Sequence, residues 1–192
     1  MMPTLSVVKV GGSLLADRDR LRKILASLAG GDEGACVVVP GGGPFAEAVR
    51  AAQVVQRFDD AQAHRLAIDA MTRMAESFVE LEPRLVIARS IAACTSGEAT
   101  PVWDPAALKA GHPAIPESWA VTSDSLALWL AAELRASRCV LIKSVDRPAG
   151  TGIGDLARLG IVDHAFPDFA KAFPGEIVLR GPGAEAGRRA AA

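Results

Sequence analysis

Leu5-Ser-Val-Val-Lys-Val-Gly-Gly-Ser-Leu-Leu15 sets Lys9 near the end of an apolar, β-branched run and follows it with Gly11, Gly12 and Ser13. An unpartnered lysine is almost never buried, so chemistry explains Lys9 better than packing does. Cys36-Val-Val-Val-Pro-Gly-Gly-Gly-Pro-Phe45 repeats the logic with Gly41, Gly42 and Gly43. In both places a strand turns, without Cβ atoms in the way, toward a helical pattern. Such a turn aims backbone N–H donors and the positive end of a helix dipole at one point, where an anion fits. Two of these turns, one beside a lysine, predict an enzyme that moves a phosphoryl group between two anionic partners.

The elements that must hold these residues follow from the hydrophobic spacing. Leu21, Ile24, Leu25 and Leu28 lie on one helical face, and a second strand is expected at 35–39, apolar enough to be buried on both sides. Helices are expected at about 45–57, with Phe45, Ala48, Val49 and Ala52 inward, and at 60–81, with Leu66, Met71, Met74, Ala75 and Phe78 inward. A strand at 84–88, another around Val102 and a short helix after Asp104 come next, amid Pro101, Pro105, Pro113 and Pro116. Then come a helix over 124–134 capped by Thr122 or Ser123, a buried strand at 140–142, a helix over 163–173 and a last strand at 176–179. A final turn and helix lead into an alanine tail. Strands alternating with helices predict an α/β fold, a three-layer αβα sandwich with a mainly parallel central sheet.

Composition narrows the classes. The 192 residues suit one domain, 1–192, long enough to bury roughly 70% of the unfolded surface. Half the residues are hydrophobic, the net charge is −1 and the basic residues are dispersed, so no nucleic-acid partner is expected. Cys36, Cys94 and Cys139 are far apart and in apolar contexts, as reduced core cysteines of a cytoplasmic protein are. No secretory leader and no membrane span is expected.

Gly41-x-Gly43-x-x-Ala46 also fits a dinucleotide fingerprint, with Asp59 or Asp60 near the ribose spacing. Pro40 and Pro44 argue against it, as does its position after the second strand rather than the first. The bland alternative is a tight turn with no ligand. An ordinary P-loop is excluded, because no Gly-x-x-x-x-Gly-Lys-Ser/Thr stretch occurs.

Taken together, Lys9-Val-Gly-Gly-Ser13 and Pro40-Gly-Gly-Gly-Pro-Phe45 resemble the amino-acid kinase superfamily, whose fold is the same three-layer sandwich. Ser118-Trp-Ala-Val-Thr-Ser-Asp-Ser-Leu-Ala-Leu128 and Val140-Leu-Ile-Lys-Ser-Val-Asp146 support this. The narrower set formed by Trp119 to Leu126, by His64-Arg-Leu-Ala-Ile68 with Met71, and by Phe166-Pro-x-x-x-Lys171 resembles the aminomethylfuranmethyl phosphate kinases of methanofuran biosynthesis.

The resemblance implies catalytic roles for Lys9 and Lys171, which would neutralise the phosphoryl group in flight. It implies one also for Asp124, which would orient the lysines and support Mg-ATP without any side-chain metal cluster. Gly11, Gly12 and Ser13 would contact the nucleotide, with Lys143, Asp146 and Arg147. Gly41, Gly42, Gly43, Phe45, His64 and Ser123 would contact the acceptor. Each also has a plain reading: Asp124 as a helix cap, Lys171 as a solvated surface residue, His64 as a core or helix-surface histidine.

One stretch departs from the superfamily's Thr-Asp-Val-Asp-Gly, which here reads Lys143-Ser-Val-Asp-Arg147, and 46 residues (147–192) follow Asp146. The portion from about 140 to 192 is therefore expected to be a shortened nucleotide-binding part, with Lys143 and Arg147 gripping phosphates. The reading is a cytoplasmic, ATP- and Mg²⁺-dependent kinase. Its small-molecule acceptor is the phosphate of an aminomethylfuran intermediate, and it acts as a homodimer or higher homo-oligomer. The alternatives are a kinase with another carboxylate or phosphate acceptor, or a non-catalytic relative that binds a nucleotide or a partner.

Overall fold

Six short apolar runs become strands because each has core to bury on one or both faces. The computed structural model describes residues 4–184. Its strands are β1 (Ser6–Val10), β2 (Cys36–Pro40), β3 (Val86–Ala88), β4 (Pro101–Trp103), β5 (Arg138–Ile142) and β6 (Glu176–Arg180). They form one sheet in the order β3-β4-β2-β1-β5-β6, with every pairing parallel. Every residue of β1 and β2 is buried, which is why both read as unbroken apolar runs.

Alternation along each strand divides the core in two. Val7, Val37, Val39, Cys139 and Leu141 pack on one side, against Ile68, Met71, Leu126, Leu130 and Phe166. Val8, Val10, Val38, Val140 and Ile142 pack on the other, against Leu21, Leu25, Leu28, Met74 and Phe78. The helices that supply these partners are α1 (Arg18–Ala29), α3 (Asp60–Leu81), α4 (Ser123–Glu133) and α6 (Phe166–Ala172). A short α5 (Ile153–Arg158) lies in a glycine-rich stretch. The expected αβα sandwich with a mainly parallel sheet is therefore observed. The expected final helix and alanine tail fall almost wholly outside the described residues.

Helix α2 (Gly43–Gln56) corrects one expectation. It buries no residue: Phe45 and Ala48 are exposed, Val49 and Ala52 only partly covered. It rides on the surface against α3 rather than on the sheet. Met71 and Met74 are core residues, one on each side of the sheet, and offer no dimer face.

Beneath the sheet, Glu33 lies in the loop before β2 and is buried. Its carboxylate accepts from both terminal nitrogens of Arg180, at 2.5 and 3.1 Å, and from Arg138 at 3.1 Å. The loop before β2 is thereby tied to β5 and β6. All three cysteines are free and buried, and burial pushes their thiols up to about 11 (Cys36 and Cys94) and about 12 (Cys139). They are inert at neutral pH.

Candidate active site

The strand order reverses at β1: the chain runs outward through β2, then crosses back to β5 on the other side. In parallel α/β sheets, ligands bind beyond the carboxyl ends of the strands at such a switch point. A cleft of about 920 Å³ opens there.

Lysines from neighbouring strands meet in it because of the strand period. Lys9 shares the face of Val7, and Lys143, just past β5, shares the face of Cys139 and Leu141; Lys9 and Leu141 are register partners. That face is the one α4 covers, and Asp124 stands in the first turn of α4. Lys143 Nζ donates to Asp124 Oδ2 at 2.5 Å. Lys9 Nζ lies 2.9 Å from Oδ1, so each carboxylate oxygen has its own ammonium partner.

Both Lys9 and Asp124 are buried. Burial alone would raise the Asp124 carboxyl, but the two ammonium groups outweigh it and hold it below the ordinary range. Burial lowers Lys143 to about 8, helped by repulsion from Lys9 and resisted by Asp124. One carboxylate thus holds two ammonium groups together, and the group keeps a net positive charge.

The two glycine turns close against each other. Gly11 N donates to Ile142 O and Gly41 N to Val10 O, each at 2.9 Å, which continues the sheet into the turns. A Cβ on Gly12 would stand 2.1 Å from the Gly43 nitrogen, and one on Gly41 would stand 2.5 Å from the Gly12 nitrogen. Only glycines allow this backbone contact. Gly12→Ala must push the turns apart, with an expected loss of about 1–3 kcal/mol, read as a lower urea midpoint.

Of the residues expected at a site, Lys9, Asp124, Lys143, Gly11, Gly12, Ser13, Gly41, Gly42, Gly43, His64 and Ser123 all line this cleft. His64 is buried, and its Nδ1 sits 3.2 Å from the Ser118 carbonyl. A carbonyl only accepts, so Nδ1 carries the proton and Nε2 is the acceptor of the neutral ring.

Four expected residues lie elsewhere. Lys171 is on the surface of α6, 77% exposed and paired with Asp168 one turn back, so Lys143 stands where a second lysine was expected. Asp146 accepts from the Gly183 N–H, and Arg147 folds back on the Thr151 carbonyl. Phe45 is 40% exposed and outside the lining.

Other residues join the cleft without having been singled out. Trp119 lines it, with Arg50 stacked 3.8 Å over its ring and its Nε1 donating to Gln53 at 2.6 Å. Its sequence signal was present, inside the stretch that carried the resemblance. Asp163 supports the start of α4 from nearly forty residues away. Sequence reasoning placed it at the head of the next helix, and no local pattern marks a cap that distant.

The amino acid kinase family model matches residues 4–103. The chain is 29% identical over 183 residues to "[5-(aminomethyl)furan-3-yl]methyl phosphate kinase" of Methanocaldococcus jannaschii, covering 87% of this chain and 83% of that one. Uridylate kinase from Archaeoglobus fulgidus has a TM-score of 0.63 at 18% identity, covering 93% of this chain and 92% of its own. UMP kinase from Ureaplasma parvum has a TM-score of 0.69 at 13% identity, covering 94% and 90%. At these identities the two structures speak for the fold. With its parallel sheet, paired glycine turns and family match over half its length, this chain belongs to the amino acid kinase family.

Proposed function

We propose that this chain is an ATP-dependent kinase whose acceptor is the phosphate of an aminomethylfuran intermediate. The observation that carries the reading is the Lys9–Asp124–Lys143 group, which lines the same cleft of about 920 Å³ as the two glycine turns. The relative from Methanocaldococcus jannaschii supplies the acceptor class.

In this reading an oxygen of the acceptor phosphate forms a bond to the γ-phosphorus of ATP, the β–γ bridging bond breaks, and ADP leaves. A phosphate oxygen is already ionised, so no general base is needed. Lys9 and Lys143 stabilise the equatorial charge, and the glycine-turn N–H groups not spent on the sheet, those of Gly12, Gly42 and Gly43, hold the phosphates. His64 and Trp119 face the rest of the acceptor.

The residues present do not form a cage for Mg²⁺. Among the described residues no three His, Cys, Asp or Glu side chains cluster at ligand spacing, and a lysine faces each oxygen of Asp124. In this reading Mg²⁺ arrives on the nucleotide.

A second reading is favoured by Asp146 and Arg147, which are committed to the Gly183 N–H and the Thr151 carbonyl: a relative that binds nucleotide weakly, without transfer. Calorimetry with Mg-ATP, followed by ATP consumption with the furan phosphate, UMP and small carboxylates, separates the cases. Turnover on the furan phosphate alone supports the main reading. Turnover on another acceptor refutes the acceptor, and no turnover on any refutes the kinase.

Lys143 gives the reading a pH dependence. Its ammonium is present below about 8 and lost above it. The expected kcat/KM is flat to about pH 8 and falls tenfold per unit beyond. Lys143→Arg, whose charge persists, is expected to remove the alkaline limb. A limb unchanged in that variant assigns the titration elsewhere.

A homodimer or higher homo-oligomer in the cytoplasm belongs to the same reading. Val54 and Val55, about 80% exposed on α2, and three buried unpaired cysteines support it. Sedimentation would measure the assembly. Among the described residues no helix is long and apolar enough to cross a membrane.

A further inference from the structure

Helix α4 begins without a cap of its own. Its N-cap residue, Thr122, has extended backbone angles and makes no side-chain capping bond. The Ser125 N–H of the first turn and the Thr122 N–H before it go instead to Asp163, which lies between α5 and α6. Asp163 Oδ2 accepts from the Thr122 N–H and Oγ1, both at 2.8 Å, and from the Ser125 N–H at 3.0 Å. Asp163 Oδ1 accepts from Ser125 Oγ. The Ala165 N–H adds a tie to the Ala120 carbonyl at 2.9 Å.

Thr122 and Ser125 bracket Asp124, so one carboxylate grips the backbone on both sides of the residue that holds the two lysines. Asp163 is half-buried, and burial, helped by the Asp124 charge, keeps its carboxyl above the ordinary range, with bonds from Ser125 and Thr122 resisting the shift. A carboxylate at a helix N-terminus is also favoured by the dipole. The segment leading to it, Leu159, Gly160 and Ile161, lines the cleft. Asp163 therefore links one wall of the cleft to the seat of Asp124.

We infer that Asp163 is a positioning residue, which sets the Asp124 carboxylate between Lys9 and Lys143 by capping α4 from a distant loop. The catalytic consequence rests on the kinase reading above; the positioning itself does not. A misplacement of about 1 Å at a phosphoryl-transfer centre costs about 100-fold in rate.

Asp163→Asn keeps the size but puts an amide NH₂ where one of the accepting oxygens stands. The direct test is the ¹³C resonance of the Asp124 side-chain carboxylate, identified by its loss in Asp124→Asn. It is expected to move in Asp163→Asn. If that variant fails to fold, Thr122→Val removes one of the bonds and serves for the same measurement. An unmoved resonance in a folded variant overturns the inference.

Kinetics form the second arm. Asp163→Asn should lower kcat about 100-fold while KM for ATP stays within about threefold, and it should add nothing further on an Asp124→Asn background. Additive losses would show that Asp163 acts by another route and overturn the inference. A moved resonance in a protein whose wild type turns over no acceptor sinks the kinase reading and leaves the positioning role standing.

Discussion

Lys9→Ala is expected to lower turnover by about 10²–10³-fold with the fold intact. The Lys9 ammonium lies 2.9 Å from Asp124 and carries three N–H donors, so one carboxylate oxygen does not exhaust them and donors remain for an incoming oxyanion. Losing it removes charge where charge develops. Stability should respond differently. Lys9 and Lys143 repel each other in a buried site, and Asp124 and Lys143 remain as a balanced pair when Lys9 goes. Lys9→Met, which fills the space of the lysine stem, is therefore expected to unfold no earlier than the wild type on heating while being as inactive as Lys9→Ala. Single-turnover rates and calorimetric melting would check both halves. Undiminished turnover in Lys9→Ala would remove Lys9 from the mechanism.

Glu33→Ala is expected to destabilise the fold by about 3–5 kcal/mol without touching the cleft. The reason lies in what remains rather than in what is lost. The Arg180 side chain is 10% exposed and gives two hydrogen bonds to Glu33, and Arg138 gives a third to the same carboxylate. Without Glu33 a buried guanidinium has lost its counter-charge, and the tie from the loop before β2 to β5 and β6 is gone. Glu33→Gln keeps an oxygen acceptor and should cost less. Denaturant midpoints with unchanged slopes would measure both. A loss below about 1 kcal/mol for Glu33→Ala would show that water reaches Arg180 readily.

The site was legible where a residue violated its surroundings. Lys9 stands out because a charged group interrupts an apolar strand, and the glycine turns stand out because their backbones must touch. Lys143 was visible as a departure from the superfamily pattern. Its pairing with Asp124 was not, since that depends on strand register and on which face α4 covers. Lys171 shows the opposite case. A lysine three residues after Asp168 on an amphipathic helix satisfies its charge locally, which agrees with its plain reading as a solvated surface residue. The sheet was readable because β1 and β2 are apolar throughout. Helix α2 misled because Phe45, Val49 and Ala52 have a helical period yet lie over α3 and solvent. Asp163 was hidden because a cap supplied across the fold leaves no trace in the residues around the helix it caps.

Helix α2 lines the cleft through Ala46, Glu47 and Arg50 and braces Trp119 through Arg50 and Gln53, yet it places no side chain in either core. Beyond Gly43, substitutions along it are therefore expected to alter what the cleft accepts with little penalty to folding, whereas changes in β1, β2 or β5 strike the cleft and stability together. One wall of the pocket is free to drift while the opposite wall is conserved by the fold itself. Within this architecture, the lining of the cleft is varied most readily along α2.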